Sequence, residues 1–275
     1  MTIDVTLLGT GSPLPSPDRA GPATLVRAGG QTFLFDTGRG VSLRLAAAGV
    51  VAPMLTSVLL THLHSDHITD LNDMVTSRWV MSPAPNPLPI LGPVGTEAVV
   101  DAIMAMLAPD ISYRIAHHDD MTEGPQNVVT EVTGGVVHDV GGVRITAAAT
   151  DHRPVEPTLG FRVEHGDKVV VIGGDGVPCA GLDELCAGAD IYVQTVLREE
   201  LVRAVPMPRF IDTIDYHSTI EQAADTAQRA GVKTLVITHP VPAPAPGTEH
   251  EWIEIAARTF GGEVIMGDDL TSVSA

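Results

Sequence analysis

Cysteine is almost absent: only Cys179 and Cys186 occur in 275 residues. A secreted disulfide framework is excluded, the pair is expected to be reduced, and its spacing fits no thiolate zinc motif. Aromatic residues are also scarce, at 4%. No stretch reaches the roughly 18 unbroken apolar residues of a membrane-spanning helix. The most apolar segment, 41–60, is interrupted by Arg44, Pro53 and Thr56. The opening MTIDVTLLGTGS has neither the basic nor the apolar part of a signal peptide, so a cytoplasmic location is expected. Positive charge is in short supply: 16 Lys and Arg against 34 Asp and Glu leave −18. A chain this acidic is poorly suited to gripping a polyanion unless its cations cluster, which argues against nucleic acid as a partner.

What remains is ample for a large core. Hydrophobic residues make up 44% of the chain and charged residues 18%, which excludes disorder. Short apolar runs at 3–8, 24–28, 32–36 and 57–60 read as strands, and 41–49 as a helix. A helix is expected over 95–107, and a mostly stranded block over 128–174. A strong helix over 219–231, a strand over 233–237, a helix near 248–260 and a strand over 263–267 complete the pattern. Two β-rich blocks, each followed by helices, fit a layered α/β protein with sheets inside. The Pro-rich stretches 82–89 and 240–247 read as loops, since no composition shift flanks them, so one domain spans 1–275.

The chemistry concentrates in Thr61-His62-Leu63-His64-Ser65-Asp66-His67, directly after a strand. Four potential ligands within six residues are hard to explain as packing, and imidazole and carboxylate are good zinc donors. In an extended turn, His62 and His64 can face one metal position while Asp66 and His67 face a second.

In its wider context this motif resembles the metallo-β-lactamase superfamily, and in particular its ribonuclease Z-like branch. LLGTGSPLPSPDRAGPATLV, FLFDTGRG, THLHSDHITDL, PLPILGPVGTEAVVDAI, Thr150-Asp151-His152, GGDGVP, Asp215-Tyr216-His217-Ser218-Thr219 and AGVKTLVITHP follow the branch's order over most of the chain. The resemblance implies a four-layer αββα fold and a two-metal site. His62, His64 and His152 would hold the first ion, Asp66, His67 and His239 the second, and Asp175 would bridge them. It implies two Zn²⁺, with Mn²⁺ or Fe suited to similar donors. It also makes His217 and Asp66 catalytic residues, His217 as proton donor or anion stabiliser. Asp36 and Thr37 are expected to orient ligands, and Ser218 or Thr219 to cap the following helix. Trp79, Met81, Met207, Phe210 and Ile211 are candidate walls of the pocket. His117 and His118 are expected to be exposed and idle, and His138, His165 and His250 carry no claim.

Three departures from the branch shape the expected substrate. Only 23 positions separate His152 from Asp175, leaving no room for the protruding arm of members that process tRNA. Thr195 stands where the branch has a Glu beside its catalytic His, with Glu199 or Glu200 as substitutes. PVPAPAPG follows His239 in place of an aromatic and basic segment. Together with the charge, these point to a small-molecule ester substrate hydrolysed by metal-bound hydroxide. The branch also resembles phosphodiesterases and arylsulfatases, which favours a phosphodiester or sulfate ester, with carboxylic ester or lactone as variants. The rival readings are a ribonuclease Z-type tRNA 3′ endonuclease, which leaves room for a homodimer, and a non-catalytic metal-binding protein.

Overall fold

A computed structural model describes all 275 residues. The strands are β1 (Ile3–Gly9), β2 (Ala23–Ala28), β3 (Gln31–Phe35), β4 (Ser57–Leu59), β5 (Leu88–Gly92), β6 (Asn127–Glu131), β7 (Gly135–Val140), β8 (Val143–Ala149), β9 (Leu159–His165), β10 (Lys168–Ile172), β11 (Ile191–Leu197), β12 (Thr234–Val241), β13 (Glu263–Met266) and β14 (Ser272–Ser274). They form two seven-stranded sheets, ordered β14-β1-β2-β3-β4-β5-β6 and β13-β12-β11-β10-β9-β8-β7.

Strand periodicity explains the layering. In β3, Phe33 and Phe35 point into the core between the sheets, and Leu34 points out toward the helices. In β11, Ile191 and Val193 point in, and Tyr192 and Val196 point out. Successive side chains alternate faces, so a strand of continuous apolar character must be covered on both sides. The helices supply the outer covers: Val41–Ala47, Leu71–Met81 and Thr96–His117 on the first sheet, and Ala180–Cys186, Ile220–Ala230 and Glu249–Ala256 on the second. Each fully buried Phe or Leu contributes about 1.5–3 kcal/mol. The result is the expected four-layer αββα arrangement, a metallo-β-lactamase fold.

The helix expected over 95–107 runs on to His117 with Pro109 inside it. Proline removes one backbone donor and crowds the carbonyl four residues back. Here Pro109 and Ala105 are both exposed, so water can take the carbonyl that proline leaves unpaired.

Where the strands end positions the site. β3 and β4 are parallel in the first sheet, and β10, β11 and β12 in the second. Asp36 follows β3, His62 and its neighbours follow β4, Asp175 follows β10, and His239 lies near the end of β12. The same edge of both sheets therefore carries them. Thr61 O accepts from Leu159 N–H across the two sheets at 2.8 Å. Gly173 and Gly174 let β10 come this close: a Cβ on Gly173 would lie 2.0 Å from Gln194 Oε1, and Gly174 has φ +69° against the Thr61 side chain.

Candidate metal centre

Seven side chains from the two sheets converge in two groups. His62, His64, His152 and Asp175 offer ligand atoms within 4.8 Å of one another, and so do Asp66, His67 and His239. His62 Nε2 and His64 Nδ1 are 3.0 Å apart, and His152 Nε2 is 3.4 Å from the same His64 nitrogen. A single oxygen, Asp175 Oδ2, faces both groups, at 4.0 Å from His62 Nε2, 3.4 Å from His67 Nε2 and 3.7 Å from His239 Nε2. His239 Nε2 also lies 3.2 Å from Asp66 Oδ2. All seven are buried except His64, which is half-buried.

The ring orientations follow from proton bookkeeping. Asp36 Oδ1 accepts from Thr61 N–H at 2.8 Å, and Asp36 Oδ2 accepts from the Thr61 hydroxyl at 2.8 Å and from His67 Nδ1–H at 2.9 Å. With its one proton given to Asp36, the Thr61 oxygen accepts from His62 Nδ1–H at 3.0 Å. His152 Nδ1–H donates to Tyr216 O at 2.7 Å. For His62 and His152 the bond fixes a tautomer that leaves Nε2 as a lone pair aimed at the cluster, and for His67 it turns Nε2 toward the cluster.

Electrostatics separate the two groups. Burial pushes His62 well below the usual imidazole range, lowers His64, and lowers His152 to about 4. These rings are neutral, as ligands must be. Burial also opposes ionisation of Asp175, but His239 and His67 hold it well below the carboxylate range. Asp66 is lowered too, its burial outweighed by His239 and His67. The reciprocal pull of Asp175 and Asp36 outweighs burial and holds His67 well above its ordinary value, and Asp175 and Asp66 raise His239.

The donor set fits a pair of cations. His67 Nε2 is buried without a hydrogen-bond partner and lies between two carboxylates, 3.4 Å from Asp175 and 3.7 Å from Asp66. An unpaired buried nitrogen is costly, and a cation among these carboxylates would satisfy it. The cluster fits a dinuclear metal site.

His217 stands beside the cluster, 6% exposed. Its Nδ1 faces Thr213 O at 3.0 Å and its Nε2 faces Asp175 Oδ2 at 3.3 Å. Glu199 and Glu200 do not serve as its partners, because they accept from Arg203 at 2.7 Å and Arg198 at 2.6 Å. Thr195 does not reach His217 either; its hydroxyl donates to Asp175 Oδ1 at 2.7 Å. Ser218 ties this segment to the Asp175 turn by donating to Gly176 O at 2.7 Å, and Thr219 is the cap, forming a reciprocal capping box with Gln222. Motif and composition do not single out Thr61 or the Thr213 and Tyr216 carbonyls as orienting groups, and they mark Thr195 only as standing where the branch has a Glu. Only the position of Thr61 next to the metal motif hints at such a role.

The expected pocket walls divide. Trp79 and Met81 line a separate cavity of about 310 Å³ with Arg78, Asn86 and Glu123, and no cluster residue borders it. Phe210 is half-buried against Leu197, Val202 and Val241, Ile211 is half-buried, and Met207 is exposed in the segment leading to His217. His117 and His118 are exposed and remote from the cluster.

Comparison with known proteins adds what the geometry lacks. A family model described as a beta-lactamase superfamily domain matches residues 31–240. A protein of Mycobacterium avium named Ribonuclease Z is 58% identical over 273 residues, covering 98% of each chain. One of Mycobacterium bovis with the same name is 55% identical over the same share of each. The crystal structure of human tRNase Z, short form, superposes with a TM-score of 0.71 at 25% identity, covering 98% of both chains. YhfI of Bacillus subtilis, described as a metallo-beta-lactamase fold protein, superposes with a TM-score of 0.76 at 23% identity and shares the fold.

These relatives overturn two expectations drawn from composition: the small-molecule ester substrate and the argument against nucleic acid. Relatives more than half identical carry the name of a nuclease. The physical error lies in using net charge. A phosphate feels the few cations within about a Debye length, roughly 8–10 Å, and not the sum over the whole chain.

Proposed function

The chain belongs to the β-lactamase superfamily of metal-dependent hydrolases, in its ribonuclease Z-like branch, and from that premise we propose that it cleaves precursor tRNA at the 3′ side. The carrying observation is 58% identity to a Ribonuclease Z along 98% of both chains. In this reading His62, His64 and His152 would hold one zinc ion and Asp66, His67 and His239 the other, with Asp175 available to both. Ions held there would supply a water of lowered pKa and positive charge for the phosphoryl oxygen.

The chain's own residues do the rest. Asp36 and Thr61 keep the rings of His67 and His62 turned toward the reacting phosphate. Thr195 holds one oxygen of Asp175, leaving the other for the metals. His217 faces Thr213 O through Nδ1, which turns its Nε2 toward the cluster, 3.3 Å from Asp175 Oδ2. Its Nε2 is the atom placed to pass a proton to the leaving oxygen as the phosphodiester breaks.

The test is incubation of zinc-loaded protein with a precursor tRNA carrying a 3′ trailer, with the cut mapped by sequencing. A single cut at the trailer junction is expected. An intact precursor with both metals bound would end the reading.

A further inference from the structure

A nuclease of charge −18 must find its grip on phosphate somewhere. Most of its 16 basic residues are already committed to a carboxylate, as in Arg44 with Asp269, Arg153 with Asp151, Arg198 with Glu251 and Lys233 with Asp190. Arg27 and Arg78 donate to backbone carbonyls. The exposed arginines with neither an ion pair nor a side-chain hydrogen bond are Arg39, Arg209 and Arg258. In a chain with 34 acidic residues, an arginine without a partner stands out.

Two of these three lie in segments that contact the metal cluster, one on the side of each sheet. Arg39 follows Asp36-Thr37-Gly38, the turn after β3. Thr37 N–H donates to His67 O at 2.7 Å, and a Cβ on Gly38 would meet Asp66 O at 2.5 Å. The backbone bearing Arg39 is therefore in contact with the metal motif. Arg209 lies in the helical turn Pro208–Ile211, on the second-sheet side. Four residues on, Thr213 supplies the carbonyl that His217 Nδ1 faces. Arg258 lies just past the outer helix Glu249–Ala256, in the field of Glu200.

We infer that Arg39 and Arg209 grip backbone phosphates of the RNA on opposite sides of the metal cluster. The inference rests on the nuclease reading and adds to it the residues that hold the polyanion. Guanidinium suits such a grip, because its planar fork can bond phosphate in two places at once. An RNA strand crossing the shared edge of the two sheets meets one arginine from each.

The experiment measures kcat/KM for precursor tRNA, and equilibrium binding of mature tRNA, over a series of salt concentrations. It compares the zinc-loaded wild type with Arg39→Ala, Arg209→Ala, the double variant and Arg258→Ala. Each lost phosphate contact should reduce the slope of log K against log salt by about 0.7–0.9, and the double variant should lose about twice that. Arg258→Ala should keep the wild-type slope. Wild-type slopes for Arg39→Ala and Arg209→Ala, or an equal loss for Arg258→Ala, would overturn the inference. Cleavage that persists with unchanged slopes removes the grip and keeps the nuclease. Binding whose salt dependence falls with both arginines, without any cleavage, removes the nuclease and keeps the grip.

Discussion

Asp36 anchors the orientation of two cluster imidazoles, directly for His67 and through the Thr61 hydroxyl for His62. Replacing it with asparagine puts an amide where three donors now converge on two carboxylate oxygens. Asp36→Asn is expected to weaken metal binding by about 10–100-fold, the usual scale for a partner behind a metal ligand. Competition against a fluorescent chelator measures it, and unchanged affinity would show that the rings hold their orientation without Asp36. His217→Ala should do the opposite: both metals stay, and kcat falls by about 10²-fold or more. Loss of metal in that variant would mean the ring braces the cluster instead. At this scale the imidazoles and carboxylates were legible because such residues seldom gather without a chemical reason. The hydroxyl of Thr61 was not, since a buried threonine has many ordinary uses, and Thr195 stood out by position while its bond to Asp175 did not. The carbonyls of Thr213 and Tyr216 were out of reach, because every residue has one and only the fold selects which is used.

The helix Ile220–Ala230 shows how an element places a reacting group. Thr219 Oγ1 accepts from Gln222 N–H at 3.2 Å, and the Gln222 side chain accepts from Thr219 N–H at 2.9 Å. His217 sits two residues before this cap, so the helix start sets where the ring emerges. Thr219→Ala is expected to cost about 1 kcal/mol of stability. Urea unfolding of the metal-loaded protein reads it as a shifted midpoint, and an unchanged midpoint would show that packing alone holds the helix start. Elements with a clear period or a clear stop were legible: β1, the helix ending at Gly231, and β12 after it. The continuation through Pro109 was not, because the rule that proline ends a helix assumes that its freed carbonyl has no water to turn to. β14 was also missed. Its three residues carry too little pattern, and its pairing with β1 is a contact across nearly the whole chain.

Ions in the cluster would join the molecule's two halves. His62, His64, Asp66 and His67 hang from the first sheet, and His152, Asp175 and His239 from the second, so ions at their meeting point bridge the sheets. Their removal should therefore destabilise the whole fold, by about 2.7 kcal/mol for each ion relative to protein with free metal at a hundred times its dissociation constant. The size of that gap should depend on pH. In stripped protein, Asp175 with Asp36, and Asp175 with Asp66, raise His67 and His239 against the cost of burial. Groups raised in the fold add stability below their ordinary value and lose that contribution as pH climbs through the raised value. Cations that take over the role of those protons must first release them, so metal affinity should rise with pH. Thermal melts with and without chelator should thus move apart on raising pH and draw together on lowering it. Calorimetric zinc titrations in two buffers of different ionisation enthalpy should differ in heat by the protons released. Identical heats in both buffers would mean that His67 and His239 enter the reaction already neutral, and that the carboxylates around them do not hold the protons assigned here.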